Sequence, residues 1–116
     1  MSLVELYTYR AVVNRIYDGD TITVDIDLGF GIVMKDQVIR LLGIDTPEIR
    51  GEERPQGIMS RSFVEQRIPV GTRIMIKTIK DKKEKYGRYL GTIFYGETLA
   101  NLNEELLASG HADVYE

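Results

Sequence analysis

Cysteine is absent from the 116 residues, and histidine occurs once, at His111. Without thiols the chain has neither disulfide staples nor thiolate metal sites, which excludes a zinc ribbon and leaves oxygen ligands for any metal. No apolar run approaches the length of a membrane-spanning helix. The opening Met1-Ser2-Leu3-Val4-Glu5-Leu6 has no basic start and no apolar core, so no secretory leader is expected in it. Location stays open between the cytoplasm and a secreted protein already trimmed. Positive charge is also in short supply. Fifteen Lys and Arg against 18 Asp and Glu give a formal net charge of -3, whereas a general nucleic-acid coat protein is basic.

What is present suits a compact globule. Hydrophobic residues make up 43% of the chain, enough for one core, and a single domain over residues 1–116 is expected. The charges are segregated. Lys77, Lys80, Lys82, Lys83, Lys85 and Arg88 fall in one short stretch, while acids gather at Asp18 to Asp27 and at Asp45 to Glu53. A basic segment beside an acidic pocket suits a metal-using enzyme with a polyanionic substrate.

Leu6 to Tyr17 reads as a strand, Asp18-Gly19-Asp20 as a turn, and Thr21 to Leu28 as a strand alternating with period two. Gly29-Phe30-Gly31 turns the chain into a third strand, Ile32 to Ile44. Thr46 to Gly57 reads as an exposed loop. A helix is expected over Ile58 to Ile68, with Met59, Phe63 and Val64 as its core face, ended by Pro69. Strands Thr72 to Ile79 and Tyr89 to Phe94 flank a basic loop, Asp81 to Arg88. Asn101 with Glu104 forms a capping box for a last helix, and Gly110 suits its C′ position. Three strands, helix, two strands, helix is the order of a mainly β fold with some α, a five-stranded OB-fold barrel with two to three short helices.

Three motifs carry the chemistry. Asp18-Gly19-Asp20-Thr21 reads either as a plain hairpin turn or as a turn that aims Asp20 at a metal. Arg40, followed by Asp45-Thr46-Pro47-Glu48, reads either as an internal salt bridge or as a site. A cation in an apolar strand needs an anionic partner, and Pro47 stiffens the loop in both readings. Lys85-Tyr86-Gly87-Arg88 reads either as solvated surface or as a phosphate grip, with Tyr86 donating a hydroxyl or stacking on a base. Arginine, carboxylates and metal-type oxygens together are the equipment of phosphate-ester hydrolysis.

These segments, with Ile39-Arg40-Leu41-Leu42-Gly43-Ile44-Asp45-Thr46-Pro47-Glu48 the most specific and Asn103-Glu104 the last, resemble the staphylococcal nuclease family over roughly Val12 to Val114. The resemblance implies an OB-fold with a Ca²⁺-dependent phosphodiesterase site. It implies cleavage of DNA and RNA, with single-stranded or A·T-rich substrate preferred and 3′-phosphate ends left. Asp20 and Asp45 correspond to the Ca²⁺ carboxylates and the Thr46 carbonyl to a further ligand, with Asp18 behind them. Arg40 and Arg88 correspond to the phosphate-binding arginines, and Glu48 to the residue that orients or deprotonates the attacking water. Lys85 and Tyr86 match positions that hold the terminal phosphate, and Tyr115 lies where family tyrosines pack on a base. Glu84 departs from the pattern, since the family usually has Asp before Lys-Tyr-Gly-Arg.

The alternative from another class is a non-catalytic OB module binding nucleic acid or a protein. Such a module has no need for Glu48. His111 reads as a surface or packing residue, no membrane contact is expected, and a monomer is the default.

Overall fold

The computed structural model describes residues 6–115. Strands β1 (Thr8–Asp18), β2 (Thr21–Gly29) and β3 (Ile32–Leu41) form an antiparallel meander. The chain then passes through β4 (Ile44–Asp45), a 3₁₀ turn at Gly51–Glu53 and helix α1 (Arg54–Arg67). Strands β5 (Arg73–Lys83), β6 (Tyr89–Tyr95) and β7 (Ala100–Asn101), helix α2 (Leu102–Ala108) and β8 (Asp113–Val114) complete it. β5 pairs antiparallel with β1 and β6, and β6 pairs parallel with β3, so five long strands close into an OB-fold barrel.

Strand phase decides what faces the interior. In β1 the buried residues are Ala11, Val13, Ile16 and Asp18, a switch from odd to even numbers. The switch falls at Asn14, where the β1–β2 register slips between Val13 and Arg15. A bulge of this kind rotates every later side chain to the opposite face. Asn14 fills the bulge by donating to Asp25 Oδ1 at 2.6 Å and Asp36 Oδ1 at 3.1 Å. Asp18 owes its inward position to that extra residue. The β2 residues Ile22, Val24 and Ile26, with Ile39, Leu41, Ile74, Ile76 and Ile93 of the other strands, form the core.

Helix α1 begins at Arg54, four residues before the expected Ile58. Pro55 is the reason, because proline suits the first helical turn even though it reads as a breaker in sequence. The buried face also differs from expectation. Gly57, Ser60 and Val64 pack inward, Phe63 is half-buried, and Met59 is 59% exposed. Small residues win that face because the helix lies close to backbone. A Cβ on Gly57 would stand 2.1 Å from the Glu48 carbonyl oxygen, and one on Gly19 would stand 2.8 Å from Thr46 Cγ2 and 2.9 Å from Ser60 Cβ. Gly19 is therefore required for close approach, and its φ is not positive.

Other boundaries moved for local reasons. β3 stops at Leu41 because Gly43 takes φ +80°, and Ile44-Asp45 resume as β4 against Val114-Asp113 of β8. β5 runs on to Lys83, so Asp81, Lys82 and Lys83 of the expected basic loop are strand. The Asn101 side chain caps α2 by accepting from Glu104 N–H at 3.0 Å. Gly110 (φ +80°) closes the helix, with Gly110 N–H to Leu107 and His111 N–H to Leu106, a Schellman arrangement.

Gly57→Ala should cost about 2–4 kcal/mol, since the added methyl meets backbone that cannot step aside. Urea unfolding of the variant checks this. A loss under about 0.5 kcal/mol would show that α1 is free to shift away from the Glu48 loop.

Candidate active site

Arg40 is the centre of the site. Its neighbours Ile39 and Leu41 are buried in the core, while Arg40 itself lies on the other face of β3, its side chain 12% exposed. Nη1 donates to the Ile44 carbonyl at 2.9 Å and the Leu41 carbonyl at 3.1 Å. The same Nη1 lies 3.4 Å from Asp20 Oδ2, and Nη2 donates to Asp45 Oδ1 at 3.2 Å. Two carboxylates from separate segments thus meet one guanidinium, and four acceptors fix its plane.

Asp20 is almost fully buried and heavily bonded. Its Oδ2 accepts the Thr46 N–H at 3.0 Å, and its Oδ1 accepts the Thr21 hydroxyl at 3.0 Å. Behind it, Asp18 Oδ1 accepts the Asp20 N–H at 3.0 Å. Two buried carboxyls side by side cannot both carry full charge. Burial pushes Asp18 up from 3.8 to about 7, helped by its hydrogen bond to Asp20 and the Asp20 charge. Burial also opposes charge on Asp20. The hydrogen bonds from Asp18, Thr46 N–H and Thr21 and the Arg40 charge outweigh it, and Asp20 stays below the usual carboxylate range. Asp45 is raised by burial and by the charge of Asp20, against the pull of Arg40.

Glu48 sits three residues after Asp45 on the loop that Thr46 ties to Asp20. It is exposed, and its N–H donates to Glu53 Oε1 at 3.2 Å. Thr46 is buried, and its hydroxyl has no hydrogen-bond partner among the described residues.

Arg88 enters from just ahead of β6, whose Leu90 is the register partner of Arg40. Glu84 clamps it: Nε donates to Oε1 at 3.2 Å and Nη2 to Oε2 at 3.0 Å. Glu84 Oε1 also accepts the N–H of Tyr86 at 2.9 Å and of Arg88 at 3.0 Å. The Arg88 hydrogen bonds hold Glu84 well down, at about 2. In return Arg88 is held more firmly charged, first by Glu84, against the effect of burial, and then by the more distant charges of Asp20 and Asp18. The clamp uses one edge of the guanidinium and leaves Nη1 for another anion. Glu84 is thus a positioning group that the sequence reading passed over as a departure. The cue was its place four residues before an arginine across a Gly-containing turn.

A tyrosine stands near each arginine. The Arg40 guanidinium carbon is 5.5 Å from the Tyr115 ring centroid, and the Arg88 one is 5.4 Å from that of Tyr86, with Lys85 Nζ 5.0 Å from the same ring. Tyr115 reaches Arg40 because its N–H donates to Gly43 at 2.9 Å beside the β4–β8 pairs. Both rings are mostly exposed, open to a flat ligand.

Asn103 is a second residue the sequence reading used only for resemblance. Its buried side chain donates to the Leu42 carbonyl at 3.0 Å and the Gly91 carbonyl at 3.1 Å, and accepts from Ile93 N–H at 3.1 Å. It joins α2, β6 and the turn that separates Arg40 from Asp45. His111 packs on Phe63 with ring centroids 4.7 Å apart, away from these groups. No cluster of three or more Asp, Glu, His or Cys side chains placed to hold a metal occurs among the described residues. Asp20 and Asp45 offer two carboxylates.

A family model described as Staphylococcal nuclease homologue matches residues 38–116. The chain belongs to this family. An uncharacterised protein of Methanocaldococcus jannaschii is 36% identical, over 92% of this chain and 59% of its own length. A thermonuclease of Staphylococcus hyicus is 32% identical over 90% of this chain and 57% of its own length. A thermonuclease of Staphylococcus intermedius is 31% identical over 78% of this chain and 52% of its own length. The chain thus spans between about half and three-fifths of the length of these relatives. The family match begins at Val38 and leaves out Asp18 and Asp20; the barrel brings Asp20 back to Arg40, with Asp18 bonded behind it.

The raised Asp18 pKa has a defined effect on stability. Between about pH 4 and 7 the folded chain holds a proton that the unfolded chain has lost. Stability from this group is therefore full below pH 4 and declines as pH rises toward 7. Asp18→Asn keeps a donor and an acceptor but cannot ionise. In chelator, its melting temperature should match the parent at pH 4 and exceed it by a few degrees above pH 7. Parallel curves across that range would show that Asp18 is ionised throughout.

Proposed function

We propose that this chain is a nuclease that hydrolyses phosphodiesters of DNA, and of RNA, with Ca²⁺, leaving 3′-phosphate ends. The observation that carries the reading is the meeting of Asp20 and Asp45 on Arg40, with Glu48 on the loop that Asp20 tethers. Family membership and the thermonuclease relatives support a nucleic-acid substrate, and single strands suit the two open tyrosine faces.

The donor set suits a hard dication. Asp20 and Asp45 give charged oxygens, the Thr46 carbonyl is a further oxygen ligand by resemblance, and the buried Thr46 hydroxyl still lacks a partner among the described residues. Bound there, Ca²⁺ would supply positive charge for the phosphate and a place for water. The protein groups do the rest. Arg40 and the free edge of Arg88 hold the nonbridging phosphate oxygens, whose charge grows as water attacks. Glu48 orients that water and takes its proton. The water oxygen bonds to phosphorus, the bond to the 5′ oxygen breaks, and that oxygen leaves with a proton from solvent. Lys85 and Tyr86 hold the terminal phosphate, and Tyr115 stacks on a base.

Single-stranded DNA should release acid-soluble nucleotides with Ca²⁺ and not with chelator. Arg40→Lys should lower kcat/KM by about 10²–10³, since lysine cannot reproduce a planar two-point grip. The parent at 100 times its Kd for Ca²⁺ should gain about 2.7 kcal/mol of stability. A folded parent that binds single-stranded DNA and releases nothing would make the domain a binding module.

A further inference from the structure

The ladder between β5 and β6 is broken in one place. Thr78 pairs with Gly91 and Lys83 with Tyr89, so residues 79–82 bulge out opposite Leu90 alone. Lys80 and Asp81 both take positive φ, 52° and 55°. Consecutive non-glycine residues in that region are strained, and such strain persists only where the surroundings over-determine it. Asp81 provides the anchor. Its carboxylate accepts the hydroxyls of Tyr9 and Thr78, and its N–H donates to Thr78 Oγ1 at 2.9 Å.

The anchoring separates charge. The one acid of the bulge is committed to Tyr9 and Thr78. Lys80 and Lys82 on either side of it are exposed, and neither is joined to another described residue by a hydrogen bond or ion pair. The next acid along, Glu84, is committed to Arg88. A ridge of ammonium groups therefore stands out from a chain whose net charge is -3. Its position is informative. Leu90, opposite the bulge, is also the register partner of Arg40 on β3. The bulge thus lies across β6 from Arg40, about 10 Å away at two strand spacings.

We infer that the bulge at residues 79–82 is a phosphate-binding subsite for a polynucleotide strand, with Lys80 and Lys82 holding phosphates beyond the one at Arg40 and Arg88. The inference rests on the nuclease reading for the direction of the strand. Lysine suits the task, because a mobile point charge holds phosphate without reading sequence. Substrates long enough to reach the bulge gain affinity there, and a mononucleotide ester does not.

The test is Lys80→Gln/Lys82→Gln, compared with the parent on a single-stranded oligonucleotide and on a p-nitrophenyl ester of thymidine 5′-phosphate. The oligonucleotide KM should rise about five- to tenfold, and the slope of log affinity against log salt should become shallower by about 1.4, for two lost phosphate contacts. Ester hydrolysis should not change. An unchanged oligonucleotide KM and salt slope, or an equal loss on both substrates, would overturn the subsite. If the parent cleaves neither substrate, the nuclease reading fails by itself. Fluorescence anisotropy of the labelled oligonucleotide then still decides the subsite: weaker binding with a shallower salt slope supports it, and binding equal to the parent, or none by either protein, refutes it.

Discussion

Closure of the barrel through the parallel pairing of β3 with β6 is the constraint on which the rest depends. Ile39, Arg40 and Leu41 find Tyr89, Leu90 and Gly91, about fifty residues away in sequence. Gly91 permits the contact, since a Cβ there would stand 3.0 Å from Ile39 Cγ2. Closure removes two open sheet edges and the aggregation risk they carry. It also places the Arg88 turn and the Arg40 strand at the same end of the molecule. Asn103 seals that end by bonding to the Leu42 carbonyl, to the Ile93 N–H and to the Gly91 carbonyl, which also accepts the Leu42 N–H at 2.8 Å.

The second theme is how buried charge is managed. Asp18 and Asp20 are both more than nine-tenths buried, and ionising both would be costly. The site divides the work. Asp18 keeps its proton to about pH 7, and Asp20 stays charged against Arg40, Thr46 N–H and Thr21. Glu84 does the same for Arg88 at the surface, where solvent screens the pair and its worth lies in orientation more than in stability. In each case a neighbouring group fixes the geometry or charge of one proposed to hold metal or phosphate. The close approach of α1, made possible by Gly57, Ser60 and Gly19, holds the Thr46-to-Glu48 loop from behind.

Much of this was open to reading in sequence because it is local. Period-two alternation marks β2, the Asn101–Glu104 box marks α2, and Gly110 marks its end. The segment from Ile39 to Glu48 carries its chemistry on its face. Other features were hidden for physical reasons. The Asn14 bulge shows only as an unremarkable asparagine, because a register slip depends on the partner strand. Met59 and Gly57 exchange their expected places, because an apolar pattern does not report how close the neighbouring backbone lies. Glu84 and Asn103 look like ordinary surface polar residues until their acceptors and donors are known.

The sequence by itself determined the order of elements, the absence of thiol chemistry, and the residue types able to hold phosphate and a hard cation. These follow from side-chain chemistry and from contacts within a few residues. Tertiary structure decided which of those residues meet. Asp20, Asp45, Arg40 and Arg88 lie on four separate segments, and only barrel closure, the β1 bulge and the close seat of α1 bring them together. The protonation of Asp18, Asp20 and Asp45 was decided there too, because a carboxyl departs from its ordinary pKa only when folding removes its water and fixes its neighbours.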